Sequence, residues 1–133
     1  MIKASRIFIG ILLVMVFITG CQQEDYRLGE LITPTNLDVT YTIVGVDADN
    51  PYGDGSGQVI FSASADNYIT ITFDFGDGKN LEIVADGNIN HMFSVNGTNT
   101  YNVTVTAVGT GGLSTSKTVP VEVYSSFTDD EAL

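Results

Sequence analysis

Between Leu37 and Tyr124 apolar and polar positions alternate in short runs separated by turns. Leu37, Val39, Tyr41 and Ile43 alternate with Asp38, Thr40 and Thr42, the period of a half-buried strand. A polar, glycine-rich loop from Asp47 to Gly57 follows, and Gln58–Ala63 resumes the alternation with Val59, Phe61 and Ala63 on one face. After an Asp66-Asn67 turn, the stretch from Tyr68 to Phe75 is the clearest strand, with Ile69, Ile71, Phe73 and Phe75 in phase. Gly76-Asp77-Gly78 turns it toward Leu81–Val84, and Asp86-Gly87 leads into Ile89–Phe93. Thr100–Val108 carries Tyr101, Val103, Val105 and Ala107 on one face, and Gly109–Gly112 forms a loop. Thr118–Tyr124 closes the series with Val119, Val121 and Val123 inward. Pro120 has no amide to donate, which predicts an edge position or a bulge for that last strand. No segment of this region has helical periodicity, and no repeat is present. Short strands joined by glycine turns predict an all-β fold, an antiparallel two-sheet sandwich, with Phe61, Phe73, Phe75, Tyr101, Val103 and Val105 in the core.

The order of three motifs narrows the fold. Phe73-Asp74-Phe75-Gly76-Asp77-Gly78 ends the clearest strand, His91-Met92-Phe93 follows, and then Tyr101-Asn102-Val103-Thr104-Val105-Thr106-Ala107. This resembles the PKD domain, an immunoglobulin-like β-sandwich of extracellular and cell-surface proteins, over roughly Leu37 to Tyr124. The resemblance implies a spacer or binding module without catalysis and without cofactor. It also implies a structural role for His91, hydrogen-bonded near the end of a strand. Tyr101 stands where the tyrosine corner of such sandwiches falls, at the start of the penultimate strand. The family joins Gly directly to Thr-Tyr, whereas Gly97-Thr98-Asn99-Thr100-Tyr101 has two residues more.

The two ends read differently. Lys3 and Arg6 precede a 12-residue apolar run, Ile7–Ile18, too short to span a bilayer comfortably and suited to a signal-peptide core over residues 1–20. Ile18-Thr19-Gly20-Cys21 resembles the bacterial lipobox, in which a cysteine is lipidated before cleavage, so Cys21 is the expected lipidation site. A free cysteine behind a plain signal peptide or a short anchor helix is the alternative. Cys21 is the only cysteine, which leaves the domain without a disulfide. Acyl chains would anchor the protein with about 0.8 kcal/mol per buried methylene, more than one chain being needed. After Cys21, Arg27, Lys79 and Lys117 face all 16 acids, a net charge of −13. Such a surface is repelled by anionic headgroups and by nucleic acid, so the expected route to the membrane is the lipid. Residues 21–34 form a tether reaching at most about 45 Å, and the sandwich occupies residues 35–124. Gln22-Gln23-Glu24-Asp25 resembles an acidic export signal that sends some Gram-negative lipoproteins to the cell's outer face; a solvated linker reads equally well. The expected location is the outer membrane or cell surface.

Candidate chemistry is sparse. His91 is the only histidine, and no sequence feature marks an activated serine beside it. The acids fall mostly in turns, where aspartate bonds its own backbone, rather than as a spaced catalytic pair. Asp47, Asp49 and Asp54 are calcium candidates, since a hard cation takes several oxygens from one loop. Pro51, however, takes the fifth position of that loop, Gly53 misses the sixth, and no glutamate closes it. Sugar stacking needs exposed aromatic rings, and in the absence of tryptophan the candidates are Tyr26, Tyr52, Tyr68 and Tyr124, with Tyr52 foremost at a loop tip. Asn96-Gly97-Thr98 and Asn102-Val103-Thr104 fit a glycosylation pattern that carries no meaning in a bacterial lipoprotein.

Two functions fit these residues. One is a non-catalytic surface module acting as spacer or binding domain for a polysaccharide or protein partner. The other is the anchored front of a larger enzyme or receptor. The second draws on residues 125–133, an acidic tail or the start of a further helix, where Thr128-Asp129-Asp130-Glu131 has the spacing of a helix capping box with acids in the first turn.

Overall fold

The computed structural model describes residues 29–127. The apolar run Ile7–Ile18, Cys21, Tyr26, most of the expected tether and the expected capping box at Thr128–Glu131 lie outside them. Seven strands follow in order: β1 (Thr35–Ile43), β2 (Gln58–Asp66), β3 (Thr70–Asp74), β4 (Glu82–Val84), β5 (Asn88–Met92), β6 (Gly97–Val108) and β7 (Ser114–Ser125). A single 3₁₀ turn, Thr110–Gly112, links β6 to β7. The strands form two antiparallel sheets, β1-β2-β5 and β4-β3-β6-β7.

The core lies between the sheets and follows the period of two. Val59, Phe61 and Ala63 of β2 meet Ile71, Phe73, Tyr101, Val103, Val105 and Ala107 of β3 and β6, with Val121 and Val123 of β7. Phe61 is the hub, its ring 6.0 Å from Phe73 and 5.4 Å from Phe75. All six residues expected in the core are buried.

Pro120 lies on an edge strand, and the β6–β7 register runs through Asn102↔Pro120 without a bulge. Tyr41 donates its hydroxyl to the Pro120 carbonyl (3.2 Å) from β1, in the other sheet. In an antiparallel ladder a residue's N–H and C=O point the same way. The missing amide of Pro120 therefore faces away from β6 and costs the ladder no bond.

β1 and β7 run side by side in the same direction. Thr115 Oγ1 donates to the Pro34 carbonyl (2.6 Å), Lys117 Nζ lies 3.7 Å from Asp38 Oδ1, and Tyr41 reaches Pro120. The chain thus enters the sandwich at Pro34, beside the start of β7, and Phe127 follows the end of β7 at the opposite end. The twelve residues of β6 separate those ends, a length of roughly 36–40 Å at the usual strand rise.

Alternation is modified at Ile69 and at Tyr41, and β4, whose faces the sequence leaves unassigned, takes its phase from pairing. Ile69 stands before β3 and is exposed, its amide donating to Val108 O at 2.7 Å, so the buried phase starts at Ile71. Leu81 and Ile83 are exposed as well. Phe73↔Glu82 pairing puts Glu82 and Val84 on the inner side of the short strand β4 and turns Ile83 outward. Tyr41 keeps its inward phase, 6.0 Å from Phe61, yet stays 40 % exposed because its hydroxyl reaches the edge of β7.

Candidate functional site

Two clusters gather the residues with chemical potential. The first is built on the turn after β3. Asp74 Oδ1 accepts the Gly76 amide (3.0 Å) and Asp77 Oδ1 the Lys79 amide (3.1 Å), so each aspartate closes its own turn. Asp77 Oδ2 accepts the Nε2–H of His91, 2.7 Å away on β5, and Lys79 Nζ lies 3.6 Å from the same oxygen. The other imidazole nitrogen, Nδ1, is 3.6 Å from Glu82 Oε1. Phe75 stacks on the imidazole at 3.6 Å and Phe93 meets it edge-on at 4.7 Å. Burial pushes the Asp77 carboxyl up, but the His91 hydrogen bond, the Lys79 amide and the nearby His91 and Lys79 side chains outweigh it and hold the carboxyl below its ordinary value. Both nitrogens of His91 face carboxylates and its side chain is only 5 % exposed. The imidazole is a buried joint between the two sheets.

Tyr101 continues the stack, 4.1 Å from Phe93. Its hydroxyl is buried and finds no hydrogen-bond partner among the described residues, so the expected tyrosine corner lacks its bond. β6 begins at Gly97, four residues before Tyr101, which places the ring inside the strand rather than at its start. Burial, and secondarily the charge of Asp77, raise the phenol's pKa.

The second cluster is the loop from Val44 to Gly57. Asp47 Oδ1 accepts the amides of Asp49 (2.9 Å) and Asn50 (2.7 Å), and Asn50 Nδ2 donates to both Asp47 oxygens. Asp54 Oδ1 accepts the Ser56 amide at 3.0 Å. Bonds from Asn50 lower the Asp47 pKa, and bonds from Ser56 lower that of Asp54. The three calcium candidates are thus divided between separate turns. Asp47, Asp49 and Asp54 do not converge, and among the described residues no group of three or more metal-ligating side chains forms.

The same loop lies on the end of β7. The Tyr124 amide donates to Tyr52 O (2.8 Å) and the Ser126 amide to Gly55 O (2.9 Å). Tyr52 and Tyr124, two of the aromatic candidates, come together there, 41 % and 39 % exposed. With Asp49, Asn50, Pro51 and Thr98 they line an open recess of about 140 Å³. Tyr68 packs partly buried against the core instead. The sequence signal for Tyr52 was its place at a loop tip; its partner lies 72 positions on, beyond the reach of any local pattern.

Two antiparallel sheets enclosing an aromatic core, with a buried histidine joint and chemistry confined to loops, define an immunoglobulin-like β-sandwich module. The PKD domain family model matches residues 43–123, more than half of the chain, and the chain belongs to that family. PKD domains are typically non-catalytic modules, often of extracellular proteins. Among solved structures it resembles the crystal structure of the PKD1 domain of Vibrio anguillarum Epp, with a TM-score of 0.51 and 16% identity. That likeness covers 73% of this chain and 100% of the other, and it concerns the fold. No curated protein matches the chain.

Proposed function

We propose that this protein is a non-catalytic, lipid-anchored module of the outer membrane or cell surface, serving as spacer or binding domain where polysaccharide or protein is handled outside the cell. The observation that carries the reading is the path of the chain. Pro34 and Phe127 lie at opposite ends of the sandwich, separated by the length of β6, roughly 36–40 Å, a separation that suits a spacer. The enclosed His91 supports the absence of catalysis, because a general base must reach a substrate proton. Membership of the PKD family supports an extracellular setting. Ile18-Thr19-Gly20-Cys21 supports the lipid.

The test is Cys21→Ser. The variant is expected in the soluble fraction, while the unaltered protein partitions into the detergent phase. A Cys21→Ser protein that stays membrane-bound with residues 1–20 attached would make that segment an anchor helix and overturn the lipid-anchored reading.

A further inference from the structure

We propose that the recess between Tyr52 and Tyr124 is a subsite for one pyranose ring of an uncharged glycan. The inference deepens the binding half of the reading above and rests on it. Tyr52 and Tyr124, both half-exposed, border the recess, and a phenol ring can take the C–H face of a sugar against it. The recess, at about 140 Å³, is on the scale of a single ring.

The site is built before any ligand arrives. The Tyr124 amide bonds Tyr52 O at 2.8 Å, the Ser126 amide bonds Gly55 O at 2.9 Å, and Asp47 fixes the amides of Asp49 and Asn50. Binding therefore has little loop ordering to oppose it.

The polar lining selects among ligand classes. Thr98 and the two phenols each offer a donor and acceptors, Asn50 adds an amide, and Asp49 adds a carboxylate. Sugar hydroxyls are themselves both donors and acceptors, so they match this mixture. A lysine or arginine head group donates only and leaves the donors of the lining unmatched. An acidic sugar would meet Asp49 in a protein whose formal net charge is −11. The uncharged glycan is the class that fits.

The full chain, held in a detergent without a sugar head group, would be titrated calorimetrically with cellohexaose, xylohexaose, maltohexaose and mannohexaose. Hexagalacturonate and hexalysine are the charged controls. Saturable binding of at least one neutral hexasaccharide is expected. Tyr52→Ala should weaken it by about tenfold or more, and Tyr52→Phe should keep most of it, because stacking survives. The melting temperature of both variants should match the unaltered protein, since Tyr52 contributes its backbone carbonyl to the fold and its ring to the surface. Absence of binding to every neutral hexasaccharide would overturn the proposal. So would Tyr52→Ala binding as tightly as the unaltered protein, or binding of hexalysine or hexagalacturonate alone. Failure here leaves the lipid-tethered spacer standing, and that reading stands or falls on the Cys21→Ser partition.

Discussion

Asp77 joins three parts of the molecule through one carboxylate: its own turn, Lys79, and His91 on the facing sheet. Its pKa in the fold lies below the ordinary 3.8, whereas in the unfolded chain it returns there. The stabilisation it contributes is complete above about pH 3.8 and is lost as the pH falls through the lowered folded value. Asp77→Asn should therefore melt well below the unaltered protein at pH 7, and the gap should narrow in acid. Melting curves at stepped pH read this directly, and a gap that widens in acid would contradict the assignment. Tyr101 gives a sharper contrast. Its hydroxyl has no partner to lose, so Tyr101→Phe should leave stability unchanged or slightly raised. A fall of about 1 kcal/mol or more in chemical denaturation would mean that the hydroxyl is bonded after all. Phe73, fully buried against Phe61 and Phe75, should cost about 3–5 kcal/mol as Phe73→Ala. A melting temperature equal to that of the unaltered protein would remove Phe73 from the core.

At the scale of elements, β2 and β5 are held at both ends by a glycine against a carbonyl. Gly57 (φ 69°) precedes β2 and lies against the carbonyl of Phe93; Gly87 (φ 74°) precedes β5 and lies against the carbonyl of Ala63. Each returns a bond, the Phe93 amide to Gly57 O and the Ala63 amide to Gly87 O, both at 2.9 Å. A β-carbon at either position would collide with backbone, so Gly87→Ala should lower the melting temperature sharply, while Gly78→Ala, with open space around it, should lower it less. Equal losses would show that backbone conformation alone is responsible, since both glycines have positive φ. The sequence made the interior strands legible because each buried face repeats every two residues: Val59-Phe61-Ala63 and Tyr101-Val103-Val105-Ala107 could face only one way. β4 was not legible. Its three residues are too few for a period, and pairing with β3 rather than hydrophobicity decides that Glu82 turns inward toward His91. The histidine step stood out in the sequence, but the clamp of Asp77 and Glu82 around it depends on that register. The Tyr52–Tyr124 recess was half legible, one ring at a loop tip and the other at the far end of the last strand.

For the whole molecule, the family and sandwich followed from the FGDG turn and its spacing to the later strands. The path of the chain through the domain rests on contacts between β1 and β7, which lie far apart in sequence. The long edge of β7 would matter if, as proposed, many copies share one membrane. Lipid anchoring would concentrate these domains in two dimensions, where an open strand edge invites its neighbour to pair with it. β7 offers a poor template for that. Pro120 has no amide to give, its carbonyl is taken by Tyr41, and Lys117 sits beside Asp38. Restoring a donor with Pro120→Thr should increase self-association in sedimentation runs at high concentration, most clearly when combined with Tyr41→Phe, which frees the carbonyl. An unaltered sedimentation profile for the double variant would mean that β1 alone shields the edge. Crowding without clumping is what a proline in the last strand would make available to a densely planted surface.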